Sequence, residues 1–154
     1  MTRSELREHV FYMLFRKEFH NMTELSEQFD MYFANLKVPA EGLNYVEEND
    51  DADKVCKKVP NQKEIEYLKT RVDNIVEHVD EIDGIIEEVA AGWKLSRMGK
   101  IDLTILRLAT YEICFDDDIP TGVAINEAVE LAKKFGEEHS ASFINGVLAK
   151  IANL

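Results

Sequence analysis

The chain has 154 residues, of which 45% are hydrophobic and 31% charged, and its formal net charge at pH 7 is −12. This length can bury one sizeable core, so we expect one globular domain. The negative charge excludes indiscriminate binding to nucleic acid, because neutralisation of phosphates supplies most non-specific affinity, and any such binding must use a local basic patch. No apolar run reaches the roughly 18 to 20 residues that span a bilayer, and the N-terminus lacks the apolar block of a secretion signal. We therefore expect a cytoplasmic protein without a membrane partner.

The first elements in chain order are two predicted helices and a long connection. One helix starts at the capping residue Ser4 and continues to about residue 19, with apolar residues at helical spacing. The second runs from about 23 to 36, before Pro39. Residues 39–60 lose the periodicity and are rich in acidic side chains, but they lack the glycine and the final glutamate of an EF-hand calcium loop. We interpret them as a solvated connection.

The remaining elements are also helical. Asn61 and Glu64 have the spacing of a capping box, and apolar residues then step by threes and fours. This stretch fits one long coiled-coil helix or two shorter helices, and we favour two that meet near residues 79–83, where Asp80 and Gly84 offer a break. Three more helices are predicted, at about 101–115, 122–135 and 140–152, the first of them apolar nearly all round and therefore central. The predicted fold class is all-α, with seven helices and no strand.

No combination of reactive residues predicts catalysis. The sequence has no Ser/His/Asp or Cys/His set, no glycine-rich phosphate loop and no metal-ligand spacing. Its two cysteines, Cys56 and Cys114, lie far apart and outside any C-x-x-C spacing, so neither a disulfide nor a zinc site is indicated. We expect a non-enzymatic protein without a cofactor or metal.

Three segments of the C-terminal half carry a family resemblance. They are IDLTILRLATYE at 101–112, VAINEAVELAKKFG at 123–136 and FINGVL at 143–148. In this order they resemble the signature segments of the NusB family, and the N-terminus is similar through Arg3 and Arg7. The resemblance implies the NusB-like fold, seven helices in two small sub-bundles, which we place at about residues 1–60 and 61–154 of a single domain.

The resemblance also implies a function in transcription antitermination. In the NusB family the protein pairs with NusE, a ribosomal protein of the small subunit, and the pair binds the boxA element of nascent ribosomal RNA transcripts. RNA polymerase carrying that complex resists premature termination. The expected partners are therefore boxA-like single-stranded RNA, NusE and the RNA polymerase antitermination complex.

An RNA site on the N-terminal helix is implied by the family's arginine-rich segment. Arg3 and Arg7 lie four residues apart and can meet successive phosphates through charge-assisted hydrogen bonds. Arg16 and Lys17 follow, with solvated surface charges as the alternative for both. The segment has fewer arginines than the family pattern. This leaves three alternatives: a weaker affinity for RNA, a contribution from other basic residues such as Lys133, or positive charge supplied by the protein partner.

Four further positions complete the expected site. Single-stranded RNA needs flat surfaces on which bases stack, and Phe15 and Phe143 match aromatic positions of the family, with a core role as the alternative. His139 lies in a loop where the family often has an acidic residue. The histidine removes that negative charge and so reduces the repulsion between this loop and a phosphate. Asp102 matches an acidic position associated with NusE contact, with a solvated carboxylate as the alternative.

Three polar or small residues of the signatures are expected to be structural. Asn126 and Asn145 lie inside apolar patterns, which predicts buried amides with hydrogen-bond partners. Gly146 is expected to mark a close-packing point, because a glycine inside a helix is otherwise costly.

Two rival functions stay open. One is a self-associating helical adaptor, since some NusB family members form homodimers. The other is the RNA-binding domain of a ribosomal RNA methyltransferase, because a NusB-like domain precedes the catalytic domain in some of these enzymes. No cofactor-binding domain follows before Leu154, so we expect the second only for a truncated chain.

Overall fold

The computed structural model describes residues 1–17, 58–90 and 92–154. Within these ranges the chain forms α-helices, one short 3-10 helix (Leu95–Arg97) and no strand, which confirms the predicted all-α class. The helices are α1 (Arg3–Lys17), α2 (Gln62–Glu77), α3 (Val79–Val89), α4 (Lys100–Phe115), α5 (Thr121–Phe135) and α6 (Ser140–Ala152). The predicted helix at about 23–36, the acidic stretch of the connection and Cys56 lie outside the described residues, so the count of seven helices stays a prediction.

The chain divides into two compact units, Met1–Val72 and Asp73–Leu154, and the division falls within α2. The predicted organisation, one domain with sub-bundles at about 1–60 and 61–154, stays a prediction. No helix in the described ranges combines the length and the apolar character that a membrane crossing needs.

Helix α1 starts one residue earlier than predicted. Its cap is Thr2 rather than Ser4, because the Thr2 Oγ1 atom accepts the Glu5 backbone N–H at 3.1 Å. Residues 9–14 are all buried. Since consecutive residues point around the whole helix, this part of α1 is buried on every side, not only along the predicted apolar face.

The predicted capping box at the start of α2 is confirmed. The Asn61 side chain accepts the Glu64 N–H at 2.8 Å, and the Glu64 carboxylate accepts the Asn61 N–H at 3.0 Å. The expected pair of helices is also present, and the break falls at His78, next to the predicted range of 79–83; Asp80 and Gly84, which were expected to cause it, both lie inside α3. The His78 ring packs 4.7 Å from the Phe115 ring, a contact from a distant part of the sequence.

Helix α4 is the centre of the second unit. It contacts α3, α5 and α6, and residues 103–106 and 108–112 are all buried, as its apolar sequence predicted. The Arg107 guanidinium donates two hydrogen bonds to the Asp83 carboxylate, at 2.8 and 2.9 Å, and so ties α4 to α3. The arginine of the I-L-R signature is therefore a structural residue here.

Candidate nucleic-acid interface

The N-terminal end of α1 is tied to the first turn of α2 and to Lys58, which precedes α2. The Met1 ammonium donates to Glu64 Oε2 at 2.8 Å, and the Lys58 ammonium donates to Glu5 Oε1 at 3.0 Å. The hydrogen bond from the Met1 ammonium lowers the pKa of Glu64, and the one from Lys58 lowers the pKa of Glu5. These contacts position the end of the helix from which Arg3 projects.

The basic residues of α1 have different surroundings. Arg3 is exposed, whereas Arg7 is only 9% exposed, so the two arginines do not form the open cationic pair that their spacing suggested. Arg16 is half-buried, with its guanidinium 5.8 Å from the centroid of the Tyr12 ring, a cation–π distance. Lys17 ends the helix, and its side chain lies outside the described residues.

Phe15 and His9 are the other two side chains of α1 that bear on the site. Phe15 is half-buried, and its ring stacks on that of Phe11 with centroids 6.3 Å apart. Part of the ring is thus held by packing. His9, which the sequence did not single out, is fully buried, and burial lowers the pKa of its imidazole below the ordinary 6.5. The backbone of Lys58 hydrogen-bonds to this ring.

In the second unit, the start of α6 holds two of the expected site residues one helical turn apart. The buried Ser140 Oγ accepts the Glu137 N–H at 3.0 Å and so closes the turn before the helix. His139 is exposed, with its Nδ1 atom 4.0 Å from a Glu137 carboxylate oxygen, an ion pair only when the imidazole is protonated. Phe143 is half-buried, and its ring centroid lies 5.6 Å from that of Trp93. Trp93 therefore adds a second ring beside Phe143, at a position that was not among the expected site residues.

The structural roles expected for Asn126, Asn145 and Gly146 were wrong. Both amides are exposed, and neither has a hydrogen-bond partner among the described residues. Gly146 is also exposed, and a Cβ atom placed there would meet nothing within 4 Å. The two amides instead line a surface groove of about 500 Å³ between α5 and α6, together with Gly122, Ile125, Val129, Ala141 and Ser142.

Asp102, the expected contact to the protein partner, lies in the first turn of α4 and is half-exposed. Its carboxylate is thus available to a partner, and it also suits the positive end of the helix dipole.

Each unit carries its own share of the expected residues. The first unit has Arg3, Arg7, Phe15, Arg16 and Lys17 on α1, and the second has Asp102, His139 and Phe143. In the described ranges no group of histidine, cysteine, aspartate and glutamate side chains is arranged to hold a metal ion. The surfaces offer cations, aromatic rings and amides, which are groups that bind rather than react.

The described chain is thus an all-helical protein of short packed helices whose candidate site consists of binding groups. A comparison with protein families matches residues 4–153 to the NusB family. A curated relative, the transcription antitermination protein NusB of Lachnoclostridium phytofermentans, is 53% identical over 151 residues, which cover 98% of each chain. The chain belongs to the NusB family, whose members are transcription antitermination factors and not enzymes.

Solved structures agree with this assignment. NusB of T. maritima superposes with a TM-score of 0.74 at 31% identity, covering 99% of this chain and 92% of that one. A second match is a chain from a crystal structure of the antitermination factors NusB and NusE in complex with double-stranded RNA. Its TM-score is 0.69 at 27% identity, with 98% of this chain and 96% of that chain covered.

Proposed function

We propose that the protein is a transcription antitermination factor that binds boxA-type RNA of ribosomal RNA transcripts together with the ribosomal protein NusE. In this proposal it acts in the cytoplasm as part of the RNA polymerase antitermination complex and supports processive transcription. The observation that carries the proposal is the identity of 53% to a transcription antitermination protein NusB over 98% of both chains. The structural match to a complex of NusB, NusE and double-stranded RNA supports both partners.

The RNA site of this proposal starts on α1. Arg3 is exposed and is held near a structured turn, so it can meet a phosphate without ordering a free tail. Arg16 and Lys17 add charge at the other end of the helix, where Phe15 offers part of a ring. Arg7 belongs to the same proposed site, but its buried side chain leaves little surface for a phosphate. On the second unit, His139 and Phe143 supply an exposed imidazole and a ring.

The protein partner is proposed to contact Asp102. An exposed ion pair is worth little in water, so the contribution of this carboxylate is mainly to orientation and rate of association.

Fluorescence anisotropy of a labelled boxA RNA tests the RNA part. The protein is titrated alone and with NusE, at two salt concentrations, as wild type, Arg3→Ala and the charge-matched control Lys150→Ala. We expect cooperative binding with NusE, weaker binding by Arg3→Ala, and a salt slope reduced by about 0.7 for one lost phosphate contact to a single strand. The control should bind like wild type. Equal loss in both variants would show that only net charge matters and would remove Arg3 from the site.

A charge reversal tests the partner contact. Asp102→Lys should abolish the gain in RNA affinity that NusE provides while leaving the affinity of the protein alone unchanged. Asp117→Lys makes the same change of charge at an exposed position just after α4 and serves as the control. A stable dimer that binds neither RNA nor NusE would instead favour the self-associating adaptor.

A further inference from the structure

The aromatic contact at the start of α6 has unusual surroundings for this acidic chain. Trp93 is 55% exposed, which makes it the most exposed aromatic side chain in the described ranges. Its ring is tilted by 58° against that of Phe143. Exposing an indole to water is unfavourable, so a ring held in this position is a candidate contact for a partner.

The backbone explains how Trp93 comes to project from the bundle. After α3 the chain turns at Gly92, whose φ of +82° lies in the left-handed region that favours glycine. The Trp93 N–H then donates to the Ala90 carbonyl oxygen at 2.9 Å and fixes the turn. The backbone of Trp93 is therefore hydrogen-bonded to the residue that caps the end of α3.

The two sequence stretches that contain these rings lack the carboxylate side chains that are frequent in the rest of the protein. No aspartate or glutamate occurs at positions 89–101, although the chain has 30 acidic residues against 18 basic ones. The same stretch contains Lys94, Arg97 and Lys100, all of them exposed, and neither of the first two forms an ion pair with a described residue. The segment from His139 to the C-terminus also contains no carboxylate side chain. The contact between the Trp93 and Phe143 rings thus brings together two stretches of the sequence that contain no aspartate or glutamate.

We propose that Trp93 and Phe143 form a stacking platform for an unpaired RNA base, and that Lys94 and Arg97 contact the adjacent phosphates. The inference rests on the proposed RNA-binding function and extends it to Trp93, Lys94 and Arg97, to which the family resemblance assigned no role. An exposed indole in contact with a half-buried phenyl ring, with two exposed cations nearby in the sequence, suits single-stranded nucleic acid, because every base has a face that stacks and every nucleotide carries a phosphate. A protein partner with a basic surface would be repelled by the same cations.

The protein contains a single tryptophan, so the intrinsic fluorescence of the full chain reports on this residue alone. A boxA RNA labelled with fluorescein is titrated with the protein, and the anisotropy of the label and the emission of Trp93 are followed in parallel. Quenching that saturates at the same concentration as the anisotropy, with reduced access of acrylamide to Trp93, is the expected result. NusE alone should leave the Trp93 emission unchanged.

Variants measured by anisotropy separate stacking from packing. Trp93→Leu should bind RNA about tenfold more weakly, whereas Trp93→Tyr, which keeps a stacking ring, should retain most of the affinity. The double variant Lys94→Ala/Arg97→Ala should lower the salt slope by about 1.4, or 0.7 for each phosphate contact. Lys63→Ala/Lys69→Ala removes the same charge from two positions of α2, outside both acid-free stretches, and should have little effect.

The possible failures are distinguishable. If RNA binds but Trp93 emission and the affinity of Trp93→Leu do not change, the platform is wrong and the proposed function stands. If NusE alone alters Trp93 emission and RNA does not, the surface belongs to the protein partner and the RNA assignment is overturned. If no RNA binding is seen with or without NusE, the proposed function fails and the inference fails with it.

Discussion

Two glycines of the second unit should respond in opposite directions to replacement by alanine. Gly136 follows α5, and a Cβ atom built on it would lie 2.6 Å from the Ser140 Cβ and 2.7 Å from the Ala132 carbonyl oxygen. One of these atoms belongs to the backbone and the other to a buried residue, so neither can move away cheaply. Gly146 lies inside α6, and a Cβ atom there would meet nothing within 4 Å.

The magnitudes follow from these surroundings. Gly136→Ala must shift the start of α6 and disturb the hydrogen bond from the Glu137 N–H to Ser140 Oγ, which resembles overpacking of a core and should cost about 2 kcal/mol. Gly146→Ala adds no clash and removes the conformational entropy of glycine from a helix interior, which should stabilise the fold by up to about 1 kcal/mol. For a chain of this size the corresponding changes in Tm are about −4 to −8 °C and +2 to +4 °C.

Thermal unfolding followed by circular dichroism measures both variants under one set of conditions. Gly84→Ala, at an exposed and open position inside α3, is a matched control that should behave like Gly146→Ala. A Gly136→Ala protein that melts at or above the wild-type temperature would refute the close approach of α5 and α6. A lower Tm for Gly146→Ala would show that this glycine is packed against something, contrary to its exposure.

Three other variants test separate parts of the account. The folded-state pKa of His9 lies below 6.5, so the unfolded chain takes up the proton first as pH falls. The neutral His9 imidazole therefore contributes fully to the free energy of unfolding above about pH 6.5, and this contribution decreases as the pH falls below that value. Because His9→Leu has no such group, its free energy of unfolding should fall less than that of wild type between pH 7.5 and 5.5 in urea titrations. Asp83→Asn leaves the Arg107 guanidinium partly buried without its carboxylate and should cost about 1 to 3 kcal/mol in the same assay. Asn145→Ala should change stability by less than about 0.5 kcal/mol, because the amide is exposed; a larger loss would restore the structural role.

Much of the second unit could be predicted from local pattern. Helices α4, α5 and α6 start and end within one residue of the predicted bounds, because their apolar periodicity is strong and clear turn signals separate them. The break between α2 and α3 was harder. Asp80 and Gly84 are the local helix breakers, but the break falls at His78, whose ring packs on Phe115 some 37 positions later in the chain. Such a contact is not visible in a local window.

The apolar periodicity also did not predict that Asn126 and Asn145 are exposed. The buried residues of α5 include Ala124 and Ala128, and Asn126 lies midway between them, which places it on the other side of the helix. Asn145 lies next to the buried Ile144 but about 100° around the helix from it. The apolar pattern of α5 and α6 therefore predicts burial of polar residues that the structure leaves outside the buried stripe.

The candidate site was predicted mainly by resemblance, and the structure shows what resemblance leaves out. Spacing alone placed Arg3 and Arg7 on one face, but it contained no information on the depth at which Arg7 is buried. Trp93 lies where the resemblance begins but outside the three signature segments, and the resemblance assigned no role to it. The absence of acidic residues at 89–101 was a usable signal, because such a stretch is unusual in a chain with a net charge of −12.

An antitermination function is measured most directly by transcription through a terminator. A reconstituted reaction would contain RNA polymerase, NusE and a template on which a boxA element precedes a terminator, and read-through would be measured with and without this protein. We expect the protein to raise read-through, the increase to need both NusE and an intact boxA, and Asp102→Lys to reduce it. An increase that is the same on a scrambled boxA, or no increase at all, would contradict the antitermination function.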